Sequence, residues 1–250
     1  MNSFISWIGG KKLLRNKIME QFPEAGSYDR YIEVFGGAGW VLFAKDRQAD
    51  LEVYNDINGD LVNLFRCVKY HSTELQRELD GLLMSREAFY DAREQIKSRG
   101  LTDIQRAARF YQLIHCSFGA DRHSFRCHSK DIPKAVEYLA EVSGRLKRVV
   151  VENQNYDRLI KTYDRPGALF YLDPPYYAAE GYYTGFEVED HERLRDILAG
   201  IKGRFVLSYN DCLEVRELYR NFTMMEVDRQ ENLVTKSGSR RYRELIIKNF

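Results

Sequence analysis

The stretch Arg30-Tyr-Ile-Glu-Val-Phe-Gly-Gly-Ala-Gly-Trp-Val-Leu-Phe43 decides the fold of this chain. Its first five residues form a β-branched and aromatic run that predicts a strand, and the glycines end that strand before the apolar run Trp40 to Phe43. A second strand-like run, Leu51 to Tyr54, comes next, and helical apolar spacing follows between Leu61 and Val68. We therefore predict strand, Gly-rich turn, helix and strand, which is the opening of an α/β sheet.

The middle of the chain has no strand signal. From about Ser72 to Arg148 apolar residues recur at helical spacing, and a polar stretch from Cys116 to Asp131 interrupts them. Strand-like runs then return at five places: Val149–Val151, Ala168–Leu172, Phe205–Ser208, Met225–Val227 and Leu245–Ile247. The pattern predicts an α/β domain, residues 1–58 and 148–250, split by a mainly helical insert, residues 59–147.

Composition sets broad limits on the class of protein. A chain of 250 residues, 44% of them hydrophobic, can bury the core of one large domain or of one domain with an insert. The formal charge of +1 gives no global argument for a nucleic-acid partner. The apolar stretches are shorter than the roughly 20 residues of a spanning helix, the N-terminus does not resemble a signal peptide, and four scattered cysteines are typical of reduced thiols. We expect a soluble, unexported protein.

The Gly-rich turn is a candidate nucleoside site. Its glycines let the backbone approach a ligand at a helix N-terminus, and Asp56, twenty residues beyond Gly36, can accept hydrogen bonds from a ribose diol. Trp40 or Val41 stands where a dinucleotide-binding motif has its third glycine. A nucleoside ligand without a pyrophosphate, such as S-adenosyl-L-methionine (SAM), therefore fits better than NAD, and the alternative is a Gly-rich turn with a solvated aspartate.

A second motif lies after the buried-strand run Leu169 to Leu172. Asp173-Pro-Pro-Tyr176 follows it at the C-terminal end, where open α/β sheets bind their ligands. The prolines stiffen the turn, so the Asp173 carboxylate and the Pro174 carbonyl can accept hydrogen bonds from an aromatic amine. Tyr176 offers a stacking face for a base flipped out of a duplex. In-line transfer of a methyl group from a sulfonium requires mainly such positioning, whereas the alternative is an ordinary rigid turn.

Together with Ser6-Trp-Ile-Gly-Gly-Lys11, these motifs resemble the Dam-like family of adenine-specific DNA methyltransferases over the whole chain. The resemblance implies a Rossmann-like SAM-dependent methyltransferase fold whose helical insert is the target-recognition domain. It implies catalysis by Asp173, Pro174, Pro175 and Tyr176. It also implies that SAM, and the product S-adenosyl-L-homocysteine, contact Trp7, Gly9, Gly10, Lys11, Phe35, Gly36, Gly37, Ala38, Gly39, Asp56, Ile57, Asn155, Tyr156 and Asp173. Asn155 stands where the family usually has an acidic residue.

The implied activity is site-specific methylation of adenine N6 in double-stranded DNA after base flipping. We expect a monomer in the cytoplasm of a bacterial or phage-infected cell, associated with the nucleoid. Two alternatives stay open: a SAM-dependent methyltransferase acting on RNA adenine, cytosine N4 or a protein amide, and a catalytically silent DNA-binding module. The segment between Phe118 and Ile132 has fewer hairpin signals than we expect of GATC-reading relatives, so no recognition sequence is predicted.

Two basic segments are candidate DNA contacts. Thr235 to Arg243 contains no acid and is either a phosphate clamp or a solvated hairpin tip. The second segment, His115 to Lys134, offers side chains that can read base edges in the major groove. The predicted DNA-binding residues are Arg122, His123, Ser124, Arg126, Lys130, Lys236, Arg240, Arg241 and Arg243.

The second basic segment also contains a mirrored set of possible zinc ligands, His115-Cys116 and Cys127-His128. Structural zinc sites usually take their ligands from CxxC or HxxxH pairs, whereas adjacent residues in a helix or strand point in different directions. We therefore predict no metal.

Overall fold

The computed structural model describes residues 1–82, 85–126, 132–177, 185–230 and 241–250. In these ranges the strands are β1 (Arg30–Glu33), β2 (Leu51–Asn55), β3 (Val149–Glu152), β4 (Ala168–Leu172), β5 (Arg204–Asn210), β6 (Thr223–Gln230) and β7 (Arg241–Lys248). The helices are α1 (Arg15–Met19), α2 (Gly59–Tyr70), α3 (Ser72–Asp80), α4 (Arg86–Gln95), α5 (Asp103–Cys116), α6 (Ile132–Leu146), α7 (Tyr156–Tyr163), α8 (Val188–Gly200) and α9 (Leu213–Leu218).

The seven strands form one sheet in the order β3-β2-β1-β4-β5-β7-β6. β4 pairs in parallel with β1 and β5, whereas β7 runs antiparallel to β5 and β6. All five residues of β4 are buried, as expected for a central parallel strand covered on both faces. The mixed α/β sheet confirms the predicted fold class, and all seven predicted strands are present.

The chain divides into two compact units. The first unit contains residues 1–10, 37–46 and 54–153, and the second contains residues 11–36, 47–53 and 154–250. The boundary therefore passes through two of the predicted motifs, between Gly10 and Lys11 and between Gly36 and Gly37.

The first unit contains the helices predicted between the second and third strands. α5 has the most buried residues among them, and its first turn is closed by a capping box between Thr102 and Gln105. α2 begins at a similar cap, because the Asn58 side chain accepts a hydrogen bond from the Leu61 amide at 3.0 Å. The helical content of this segment is confirmed, whereas its role in target recognition stays a prediction.

The second unit brings two predicted motifs to one edge of the sheet. Glu33 of β1 is in register with Tyr171 of β4, so Phe35 and Asp173 each follow two residues beyond that pair. From β1 the chain continues to β2 on one side of the sheet, whereas β4 is followed by β5 on the other side. This divergence is a topological switch point, where open α/β sheets bind ligands at the carboxyl ends of their strands.

The helix predicted at Trp40 to Phe43 is wrong, because only a 3₁₀ turn forms, at Leu42–Ala44. Lys45 already has extended backbone angles. The Arg145 guanidinium donates hydrogen bonds to the carbonyls of Leu42 and Lys45 at 2.9 and 3.0 Å. These two carbonyls therefore have partners without a further helical turn, and the Gly-rich loop is not followed by an α-helix N-terminus.

A membrane span was not expected, and none of the helices in the ranges given above is both long and apolar enough to form one.

Candidate active site

The Asp173-Pro-Pro-Tyr176 turn leaves β4 in the second unit. Asn210, the last residue of β5, fixes its far end: the Asn210 side chain accepts a hydrogen bond from the Tyr177 amide at 3.0 Å and donates one to the Tyr177 carbonyl at 3.1 Å. Pro174 is buried, whereas Asp173 and Tyr176 are partly accessible. The backbone of the turn is therefore held at both ends while two of its functional groups can still meet a ligand.

The Asp173 carboxylate is paired with Lys11. The Lys11 Nζ atom lies 2.7 Å from Asp173 Oδ1 and 3.8 Å from Glu244 Oε2. It also lies 4.8 Å from the centre of the Tyr176 ring, within the range of a cation–π contact. Lys11, assigned to the cofactor by the resemblance, thus contacts the predicted catalytic turn directly.

A set of buried polar groups lies beneath the turn. The Tyr171 hydroxyl lies 3.0 Å from Ser208 Oγ. Burial raises the pKa of Tyr171 well above its ordinary value, and the negative charges of Asp173, Glu33 and Glu244 add to the effect although the hydrogen bond to Ser208 opposes it. The Tyr171 phenol is therefore neutral at physiological pH, and the local field is negative.

Aromatic rings support the catalytic turn from the side. The Tyr176 ring lies 6.2 Å from that of Tyr209, whose hydroxyl forms a hydrogen bond with Nδ1 of buried His191. The His191 ring in turn lies 4.9 Å from that of Tyr177. Burial lowers the pKa of His191, so its ring is neutral at physiological pH.

A second aromatic group surrounds Phe35, which lies two residues beyond the end of β1. The rings of Tyr156 and Phe186 each lie 5.8 Å from that of Phe35. The Tyr156 hydroxyl donates a hydrogen bond to Asp190, and burial raises the pKa of Tyr156 to about 12. Asn155 caps α7 through its side chain, a role that an asparagine fills as well as the acid expected from the family.

In the first unit, Asp56 organises the Gly-rich loop. Its carboxylate accepts hydrogen bonds from the amides of Gly37 and Asn58, both at 2.9 Å. Burial raises the pKa of Asp56, although those amides and the charge of Arg122 oppose the rise. The Gly37 carbonyl accepts a hydrogen bond from the Tyr54 hydroxyl at 2.7 Å, so both backbone polar groups of Gly37 are held.

Gly37 is required by its backbone and by its neighbour. Its φ of +49° lies in the left-handed region, and an added Cβ would come within 2.9 Å of Trp7 Cδ1. Ile57, next to Asp56, exposes 68% of its surface. An apolar side chain is therefore accessible to a ligand beside the Asp56 carboxylate. This combination of an exposed apolar face, a carboxylate and a tight glycine backbone suits a nucleoside.

Arg122 was predicted to read DNA, and it lies on Trp7, a residue predicted to bind the cofactor. Its guanidinium is 4.8 Å from the Trp7 ring centre and 5.6 Å from that of Phe110. Its φ of +62° is uncommon for a non-glycine residue. The Arg122 amide donates a hydrogen bond to Ser117 Oγ at 3.0 Å, which helps to hold this conformation.

The residues that follow Arg122 form a turn around Asp121. The amides of His123 and Ser124 donate hydrogen bonds to Asp121 Oδ1 at 2.8 and 3.0 Å, and both side chains are exposed. Arg126 is also exposed, and its guanidinium lies 5.2 Å from the centre of the Phe118 ring. These three residues are accessible to DNA, and their role stays a prediction.

The C-terminal basic segment lies partly within the described residues. Arg243 is exposed near the start of β7, and its Nη1 atom lies 3.8 Å from Glu226 Oε2. Arg241 belongs to β7 by its backbone, whereas Lys130, Lys236 and Arg240 lie outside the described residues.

Of the possible zinc ligands, His115 and Cys116 belong to α5. The His115 ring stacks on Tyr111 at 4.1 Å and contacts the Phe4 carbonyl at 3.2 Å, and Cys116 is buried as a free thiol. Cys127 and His128 lie outside the described residues.

Three residues near the catalytic turn were missed in the sequence: Glu244, Asn210 and His191. Glu244 could have been found, because a single acidic residue directly before the apolar run Leu245 to Ile247 of a predicted strand is unusual. Asn210 follows a predicted strand, and His191 is one polar residue in an amphipathic helix, so neither pattern indicated a site.

Comparisons with known proteins show the family of this chain. The family model described as D12 class N6 adenine-specific DNA methyltransferase matches residues 7–233. A type II methyltransferase of Lactococcus lactis subsp. cremoris, M1.LlaDCHI, is 28% identical, with 100% of this chain and 96% of the relative aligned. The retron Ec67 DNA adenine methylase of Escherichia coli is 27% identical, with 95% of this chain and 87% of the relative aligned. The DNA adenine methylase of Escherichia coli strain K12 is 24% identical, with 96% of this chain and 91% of the relative aligned. The chain therefore belongs to the D12 class of N6 adenine-specific DNA methyltransferases.

Proposed function

We propose that this enzyme takes its methyl group from SAM and transfers it to adenine N6 in double-stranded DNA, at a specific sequence, after flipping the base out of the duplex. The position of Asp173 carries this proposal. Its carboxylate follows β4 at the topological switch point, in a turn stiffened by two prolines and clamped by Asn210. We further propose that the enzyme acts as a monomer.

We propose that Trp7, Gly37, Asp56 and Ile57, all in the first unit, hold SAM. The exposed face of Ile57 suits the adenine ring of SAM, and the adjacent Asp56 carboxylate suits its ribose diol. Gly37 packs against the Trp7 ring, and a side chain at residue 37 would displace that ring from this position. Bound SAM supplies an electrophilic methyl group on a sulfonium, and the electron pair of the broken C–S bond stays on sulfur.

The catalytic turn activates the amine by orienting it. The lone pair of an aromatic amine is delocalised into the ring, so acceptors for both N–H groups turn that lone pair toward the methyl group. In our proposal the Asp173 carboxylate accepts one N–H and the Pro174 carbonyl the other, while the Tyr176 ring stacks on the base. The nitrogen forms one C–N bond as the C–S bond breaks, and the proton that it loses passes to water.

The first test is to incubate the purified protein with SAM and unmethylated genomic DNA and then to map modified adenines by single-molecule sequencing. We expect N6-methyladenine within one short sequence, because the enzyme must read neighbouring bases to select its target. Methylated RNA or protein in parallel incubations, with unmodified DNA, would contradict the proposal.

The two arginines at positions 122 and 126 are expected to act differently. Arg122→Gln removes a cation from the face of Trp7, so we expect about a tenfold weaker affinity for SAM, the size of a partly buried cation–π contact. Arg126→Gln changes an exposed residue, so we expect unchanged SAM affinity and about a tenfold weaker affinity for DNA, by loss of one charged contact. Calorimetry with SAM and fluorescence anisotropy with a duplex measure the two effects. Equal SAM affinities for both variants would rule out a cofactor role for Arg122.

A further inference from the structure

Glu244 is a buried carboxylate next to an apolar run of β7. Only 2% of its surface is exposed, and the three residues that follow it in β7, Leu245 to Ile247, are buried and apolar. Burying an ionised group costs several kcal/mol, and an apolar residue in such a place is often as stable as an ion pair or more stable. A buried glutamate at this position therefore indicates a role beyond stability.

Glu244 lies at the catalytic turn. In the sheet it is in register with Asn210 of β5, the residue that clamps Tyr177. Its Oε2 atom lies 3.8 Å from Lys11 Nζ. Lys11 is itself only 3% exposed, and its Nζ atom lies 2.7 Å from Asp173 Oδ1. Lys11 thus stands between two carboxylates, one of which is the predicted hydrogen-bond acceptor for the amine.

The charges in this group matter for methyl transfer. Lys11 carries one positive charge against the two negative charges of Asp173 and Glu244, so the three residues together carry −1. Positive charge builds at the amine nitrogen as its new C–N bond forms, and a nearby uncompensated ammonium would oppose it. A second carboxylate beside Lys11 removes that opposition.

We propose that Glu244 is a positioning residue that holds Lys11, and that Lys11 moves toward Glu244 when adenine binds, so that Asp173 Oδ1 becomes available to the N6 hydrogen. Before adenine binds, Lys11 orients the Asp173 carboxylate. After it binds, Glu244 keeps the ammonium neutralised and beside the Tyr176 ring. This inference rests on the proposed function, and it adds a residue that acts through Lys11 and does not touch the base.

The test is Glu244→Gln, which keeps the shape of the side chain and removes its charge. We expect the single-turnover rate of methyl transfer to fall by about 30-fold to 100-fold, the effect of misplacing a reacting group. Affinities for SAM and for duplex DNA are expected to stay within about threefold, because Glu244 contacts neither ligand in our proposal. Glu244→Asp keeps the charge and is expected to recover part of the rate.

Glu52→Gln is the matched control. Glu52 is 3% exposed and lies in β2 of the same unit, and its carboxylate accepts a hydrogen bond from the Gln48 amide at 2.9 Å. This variant makes the same chemical change in another buried glutamate, so it reports the effect of destabilisation alone. We expect its rate to stay within about twofold of the parent enzyme at the assay temperature.

A double-mutant cycle with Lys11→Met shows whether Glu244 acts through Lys11. We expect Glu244→Gln to lower the rate little further once Lys11 is replaced, because coupled residues are not additive. Additive losses, an unchanged rate in Glu244→Gln, or a large loss of SAM affinity would each overturn the inference. If the glutamine variant unfolds at the assay temperature, Glu244→Asp decides instead: a lower rate at constant affinities supports the proposal, and an unchanged rate overturns it.

The parent enzyme in the same assay separates the proposed function from the role of Glu244. If the parent transfers no methyl group to DNA, the proposed function fails. If it does so and Glu244→Gln matches it, only the role of Glu244 fails.

Discussion

Replacing Asp173 by Ala is expected to lower the single-turnover rate of methyl transfer by at least about 10³-fold, more than the loss of one neutral oxyanion-hole donor, because an ionised acceptor at the reacting atom is lost. The change also leaves Lys11 with Glu244 as its carboxylate partner in this cluster. Quenched-flow measurements with labelled SAM and a saturating duplex give the rate.

The affinity of the Asp173→Ala variant for SAM separates the chemical step from binding. The family resemblance implies that Asp173 also contacts SAM, but we expect the affinity to change by no more than about threefold, because Trp7, Asp56 and Ile57 are proposed to hold the nucleoside. Asp196→Ala on α8 is the control, since Asp196 is exposed and pairs with the neighbouring Arg195. Methyl transfer by Asp173→Ala at the parental rate would exclude the acceptor role of this residue.

The second large effect is expected at Asp56. In Asp56→Ala the amides of Gly37 and Asn58 lose a charged acceptor, and such hydrogen bonds contribute about 1.5–3 kcal/mol each. The Gly-rich loop is therefore expected to lose its fixed shape, and in our proposal SAM loses its ribose partner as well. We expect the affinity for SAM, measured by calorimetry, to weaken by at least about 100-fold.

Asp164→Ala is the matched control for this loss. Asp164 also accepts backbone hydrogen bonds, from the amides of Lys202 and Gly203 at 2.9 Å, but it lies in none of the proposed binding motifs. It is expected to lower the unfolding temperature to a similar extent while the SAM affinity stays within about twofold. Equal SAM affinities for the two variants would mean that Asp56 has only a structural role.

The elements of the fold were largely predictable because their signals are local. The burial of every residue of β4 follows from the continuous apolar run Ala168 to Leu172. Helical spacing from Ser72 onward predicted α3 to α6, with ends shifted by a few residues. The helix expected after the glycines failed because Arg145, about one hundred residues away in the chain, binds the carbonyls of Leu42 and Lys45. No local pattern contains that contact.

Some residues of the candidate site were predictable from local motifs, and others were not. Asp173-Pro-Pro-Tyr176 and Asp56 were visible because each is a short motif at the end of a predicted strand. Asn210 was not visible, because a single asparagine after a strand is an ordinary residue until the turn that it clamps lies beside it. Arg122 was read as a DNA contact from the basic character of its segment, whereas its position on Trp7 depends on how α5 and the N-terminus pack.

The sequence by itself determined the class of the sheet, the order of the motifs and the family, because apolar periodicity and short turn motifs are properties of neighbouring residues. The tertiary structure alone decided which charges meet. Lys11 lies near the start of the chain and Glu244 near its end, and only the pairing of β7 with β5 brings Glu244 beside the catalytic turn. Charge interactions depend on distance and burial, and a linear sequence specifies neither for residues so far apart.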